Sequence, residues 1–83
     1  MGVMATKKTA WLEESNWRFH FKSLTSLLCQ IGATYPEMAE ACGVSVETFM
    51  HWTSRQSLPR GYNRRRDVLR DLARFVALKA GEA

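Results

Sequence analysis

Tyr35-Pro36-Glu37-Met38-Ala39-Glu40-Ala41-Cys42-Gly43-Val44-Ser45-Val46-Glu47-Thr48-Phe49-Met50-His51-Trp52 decides the fold. It reads as two short helices, Thr34 to Cys42 and Ser45 to about Thr53. Thr34 with Glu37 forms a capping box, the threonine oxygen taking a first-turn amide and the glutamate reaching back. Pro36 is tolerated because first-turn amides have no helical partner. Gly43 stands where the chain must reverse and predicts a positive φ. Ser45 is the expected N-cap of the second helix. Val44 to Thr48 is ambiguous between helix and strand on propensity alone. A turn of only Gly43 to Ser45 makes the two helices cross steeply. Met38, Cys42, Val44, Phe49 and Trp52 then point into the angle, and Ala39 is small where the second helix passes close.

Helical signals continue on both sides. Trp17, Phe21, Leu24, Leu28 and Ile31 share one helical face, which predicts a helix from about Ser15 to Ile31 ending at Gly32. Ser54 to Gly61, with Pro59 and Gly61 as breakers, reads as a loop. A last helix is expected from about Asn63 to Lys79, with Val68, Leu69, Leu72, Phe75 and Val76 as its buried stripe. No segment alternates as a strand would. The expected organisation is an all-α domain over residues 15–80 behind a flexible N-terminal arm, residues 1–14, carrying Lys7 and Lys8.

The 83 residues leave room for one domain. Its 46% hydrophobic and 24% charged content is that of a globular chain, and leaves little room for a deep catalytic cleft. The formal charge of +4 permits nucleic acid as a partner. No apolar run approaches the ~18 residues of a membrane span, and the first ten residues lack a signal-peptide core, so a cytoplasmic location is expected. The start is either Met1 or Met4. Cys29 and Cys42 are expected to be buried thiols. His20 and His51 lack ligand spacing with either, so neither metal nor cofactor is expected. No nucleophile–base pair, carboxylate pair or phosphate-cradling glycine loop is present, so the chain is not expected to be an enzyme.

The paired helices resemble the helix-turn-helix of the Cro and λ-repressor (Xre-like) family. The match lies in Met38-Ala39, Gly43 four residues later, Val44, Ser45, and Phe49 with Trp52. The likeness extends to a preceding helix, a following Pro/Gly loop and a closing helix, covering about residues 15 to 79. It implies a four- to five-helix λ-repressor-like domain that binds double-stranded DNA. The third helix would enter the major groove with Ser45, Val46, Glu47, Thr48, Met50 and His51 toward base edges. Glu47 would accept from cytosine N4, Val46, Thr48 or Met50 would touch a thymine methyl, and His51 would donate to guanine. No Arg, Lys, Asn or Gln stands on that face before Arg55, which points either to partly apolar, shape-based readout or to a helix shifted so that its end and the loop contribute more.

Six arginines against one acid lie between Arg55 and Arg70. The resemblance places this stretch along the backbone, with Tyr35, Arg55, Arg60, Tyr62, Asn63, Arg64 and Arg65 on phosphates. Arg70 and Arg74 are alternatively partners for acidic side chains, and Tyr35 equally suits the edge of the core. The Lys7–Lys8 arm follows a groove or is a plain polar tail.

One recognition helix reads too few base pairs alone, so a homodimer is expected, through Phe75, Val76 and Leu78 or through Trp11 and Leu12. A module this small, with no sensor domain, is similar to autoregulatory repressors of phages and mobile elements. Small regulators beside anti-CRISPR genes are similar in size and in a Gly-Tyr pair like Gly61-Tyr62. No small-molecule ligand and no membrane are expected. The alternative is a protein-interaction module, antitoxin-like or an anti-repressor partner, using Val46 and Met50 as its interface.

Overall fold

The computed structural model describes residues 13–82, which form four helices and, among these residues, no strand. They are α1 (Glu14–Gln30), α2 (Tyr35–Ala41), α3 (Val46–Thr53) and α4 (Tyr62–Glu82). α1 packs along α4, while α2 packs against both α3 and α4. No described helix is long and apolar enough to cross a membrane. Lys7, Lys8, Trp11 and Leu12 lie outside the described residues.

The expected stripes form the core. Trp17, Phe21 and Leu28 from α1 are buried with Met38, Ala39, Cys42, Phe49, Trp52, Val68, Leu69 and Leu72. Leu24, Ile31, Val44, Phe75 and Val76 pack against this cluster and are half-buried. Its centre is aromatic. Trp17 stacks on Phe21 at 4.7 Å between centroids, and Phe21 lies 5.3 Å from Phe49. Trp52 meets Trp17 edge-on at 6.3 Å. Such offset and edge contacts add about 0.5–1.5 kcal/mol per pair beyond area burial. The Trp17 indole N–H donates to the Arg65 carbonyl at 3.0 Å, which satisfies the buried ring and ties α1 to α4. Thr25, also buried, donates its hydroxyl to the Lys22 carbonyl at 3.1 Å.

Three helix ends share one hydrogen-bond pattern. After α1, the Ala33 amide donates to Leu28 O at 2.9 Å and the Gly32 amide to Cys29 O at 3.2 Å. After α2, Val44 donates to Ala39 O and Gly43 to Glu40 O, both at 3.0 Å. After α3, Gln56 donates to His51 O at 2.9 Å and Arg55 to Trp52 O at 3.3 Å. Each is a Schellman closure, which needs one residue in the left-handed region. Gly32 and Gly43 take it at φ 93° and 71°. In the third, that residue is Arg55, at φ 66°. An L-residue with a side chain costs about 1–2 kcal/mol there.

The helix starts follow the sequence. Thr34 Oγ1 accepts from the Glu37 amide at 3.4 Å, and Glu37 Oε1 accepts from the Thr34 amide at 2.9 Å, closing the capping box. Ser45 Oγ accepts from the Thr48 amide at 3.1 Å. The ambiguous Val44–Thr48 stretch is therefore turn, cap and first helical turn. α1 begins at Glu14, one residue before the expected start, and α4 runs to Glu82, three beyond the expected Lys79.

One cysteine differs from expectation. Both are free; Cys42 is buried, but Cys29 is exposed. Cys29 follows the buried Leu28 and is turned about 100° off the stripe. Leu78 is 62% exposed, unlike its half-buried neighbours Phe75 and Val76.

Candidate nucleic-acid interface

α3 buries Phe49 and Trp52 and leaves its opposite side open. Val46 is 43% and Met50 38% exposed, and Ser45, Glu47 and Ser54 are exposed beside them. Thr48 and His51 are half-buried. The side-chain hydroxyls on this helix are largely engaged within it. Ser45 donates to Thr48 Oγ1 at 3.0 Å, Thr53 to Met50 O at 2.8 Å and Ser54 to His51 O at 3.3 Å. The outward side chains not held in these bonds are Val46, Met50, Glu47 and His51.

The cations are distributed unevenly about this helix. Arg55 leaves its C-terminus in the left-handed conformation and is exposed. Beside it, a cavity of about 250 Å³ opens between α1 and the end of α3. Arg18, Lys22, Ser26, Tyr35, Thr53 and Arg55 are among its walls. Arg18 is committed to the protein. Its Nε donates to Glu14 at 3.3 Å, Nη1 to Trp52 O at 3.3 Å and Nη2 to Ser57 O at 3.2 Å. Lys22 and Arg55 are the exposed cations of that wall. Tyr35 serves both edges, its ring 6.1 Å from Phe49 and its outer part lining the cavity.

The arginines of α4 fan out instead of forming one patch. Successive residues rotate by about 100° in a helix, so Arg64, Arg65 and Arg66 face three directions. Arg64 is exposed, and its charge acts on Cys42 at the end of α2. Burial nevertheless pushes the Cys42 thiol up to about 12, Asp71 adding to the rise and Arg64 opposing it. Arg65 is half-buried. Its Nε donates to Pro59 O at 3.0 Å, and its guanidinium lies 5.5 Å from the centre of the Tyr62 ring. Tyr62 donates its hydroxyl to Glu13 at 2.7 Å, a bond that holds its pKa above the usual phenol value. Arg66 and Arg70 border a separate apolar groove between α1 and α4, with His20, Leu24, Leu69 and Ala73. Arg70 pairs with Asp67 at 3.4 Å, as the i,i+3 spacing suggests, and with the adjacent Asp71 at 3.6 Å. Arg60 in the loop and Asn63 at the start of α4 are exposed.

Thus Ser45, Val46, Glu47, Thr48, Met50 and His51 lie together on or beside one short helix, with Tyr35 and Arg55 at its flank. Tyr62 and Arg65 are drawn into contacts within the fold. Lys22 was not among the expected site residues. It stands four residues after Arg18, so a helical projection of α1 places both beside the Trp17–Phe21 stripe. No protein-family model matches the chain, and neither a curated protein nor a solved structure is significantly similar to it.

Proposed function

We propose that this chain is a small sequence-specific DNA-binding regulator of the Cro/λ-repressor-like kind. In this reading α2 and α3 form a helix-turn-helix, and α3 lies in the major groove. Lys22, Arg55 and Arg64, with the Tyr35 hydroxyl, Arg60 and Asn63, meet flanking phosphates. Arg65 and Tyr62 shape the end of the loop that carries Arg60. The chain acts as a homodimer, through the half-buried Phe75 and Val76 and the exposed Leu78 or through residues 11 and 12, and reads two half-sites one helical turn apart. It represses by covering promoter DNA, most simply that of its own phage- or mobile-element-type operon.

The observation that supports this reading most is the uncovered face of α3 beside exposed Lys22 and Arg55. A cationic wall at the end of an open helix suits a rod lying between two phosphate rails. The test is a salt titration of binding to duplexes tiled across the protein's own promoter. The four cations named give a log–log slope of about −4 for one protomer and about −7 for the dimer. Binding that is sequence-independent, or insensitive to salt, contradicts the reading.

One observation favours a second reading, a protein-interaction module. Val46 and Met50 are apolar and exposed four residues apart, a spacing that suits a partner helix. The promoter titration separates the two, because such a module gives no sequence-dependent binding to DNA.

A further inference from the structure

We infer that α3 discriminates its site through the C5-methyl groups of thymine, read by Val46 and Met50. This rests on the DNA-binding reading above and specifies the chemistry of the site that would be recognised.

The inference starts from what α3 has left to offer. Purines are read in the major groove by side chains presenting paired donors or a donor with an acceptor, and thymine is read by apolar contact with its methyl. The outward side of α3 carries no Arg, Lys, Asn or Gln. Its small hydroxyls are engaged in the cap and along the helix: Ser45 with Thr48, Thr53 with Met50 O, Ser54 with His51 O. The middle of the open face is therefore a ridge of Val46 and Met50, with Glu47 and the half-buried His51 along one edge.

Two features suit this ridge to methyl groups. Val46 and Met50 are separated by one helical turn, about 6 Å along the axis and close to two base steps of 3.4 Å. Glu47 opposes any shift of the ridge toward the phosphates, because its carboxylate repels them. It is favoured only deep in the groove, near a cytosine amine. The selected half-site should therefore hold thymines one or two steps apart, with cytosine next to them.

The test uses a random-sequence duplex library, from which the wild-type protein selects a site. Each thymine of the recovered site is then replaced singly by uracil, which removes the methyl and nothing else. Uracil is expected to weaken binding about fourfold at one or two positions, the equivalent of one buried methyl each. In Val46→Ala or Met50→Ala, the penalty at the matching position should vanish while the other remains. Both side chains are exposed and alanine suits a helix, so circular dichroism should show both variants folded. A recovered site at which uracil is neutral everywhere overturns the methyl inference and leaves the DNA-binding reading standing. Penalties that persist unchanged in both variants overturn it as well. Failure to recover any site overturns the DNA-binding reading and this inference together.

Discussion

The Arg18 guanidinium holds the Trp52 carbonyl at 3.3 Å, joining the second turn of the first helix to the end of the third. The same group reaches Ser57 O at 3.2 Å, so it fixes both α3 and the loop that follows. A cation at the C-terminal end of a helix meets unpaired carbonyls and the negative end of the macrodipole.

Arg18→Met keeps the aliphatic stem and removes these bonds. Hydrogen bonds from a charged donor contribute about 1.5–3 kcal/mol, so the variant should lose about that much stability in urea titration. An unchanged unfolding midpoint would show that the loop is held by other contacts.

Arg55 closes α3 in a conformation that Gly32 and Gly43 adopt at the two other closures. Arg55→Gly should be more stable by up to about 1 kcal/mol, the relief of strain exceeding the added flexibility of the unfolded chain. On the proposed function, the same variant should bind DNA more weakly and with a shallower salt slope, because a proposed phosphate partner is gone. Stability and affinity moving in opposite directions is the signature; a loss of both would place Arg55 in the fold alone.

Gly43→Ala is expected to do the opposite to stability. Nothing lies within 4 Å of an added methyl, so its penalty is purely conformational, about 1–2 kcal/mol at φ 71°. Ser45→Ala should cost about 1 kcal/mol by leaving the Thr48 amide without its cap. Thermal unfolding of the two variants checks both values.

The cysteines give a chemical and a pH test. Exposed Cys29 should react with a thiol reagent in the native protein, and buried Cys42 only on unfolding. The folded-state pKa of Cys42, about 12, lies above its ordinary value of 9.0. The unfolded chain therefore loses the proton first. Stability is intact below pH 9 and falls as pH rises from 9 toward 12. Tyr62, whose pKa is also raised, acts in the same direction. Cys42→Ala should lower stability at neutral pH yet flatten this alkaline decline.

Much of this architecture was legible because local chemistry and the global pattern agree. The Thr34–Glu37 box, the Ser45 cap and the glycines at 32 and 43 mark their helix ends by residue type, and the Trp17–Phe21–Leu28 stripe marks the core. The third closure was not legible, since arginine carries no signal for the left-handed region. Reading Arg64 and Arg65 as neighbours on one backbone overlooked helical rotation, which turns Arg65 toward Pro59 and Tyr62. Arg18 and Lys22 carry no signal of the site, because they precede the paired helices by more than ten residues. Only the packing of α1 brings them beside Arg55.

Amide chemical-shift mapping of the isotope-labelled protein, titrated with the duplex it selects, tests the central claim most directly. The account predicts perturbations concentrated on residues 45–51 with Lys22, Tyr35 and Arg55, and little change at His20, Leu24, Leu69 and Ala73 in the groove on the other side of α1. Perturbations centred on that groove, with residues 45–51 unmoved, would contradict it.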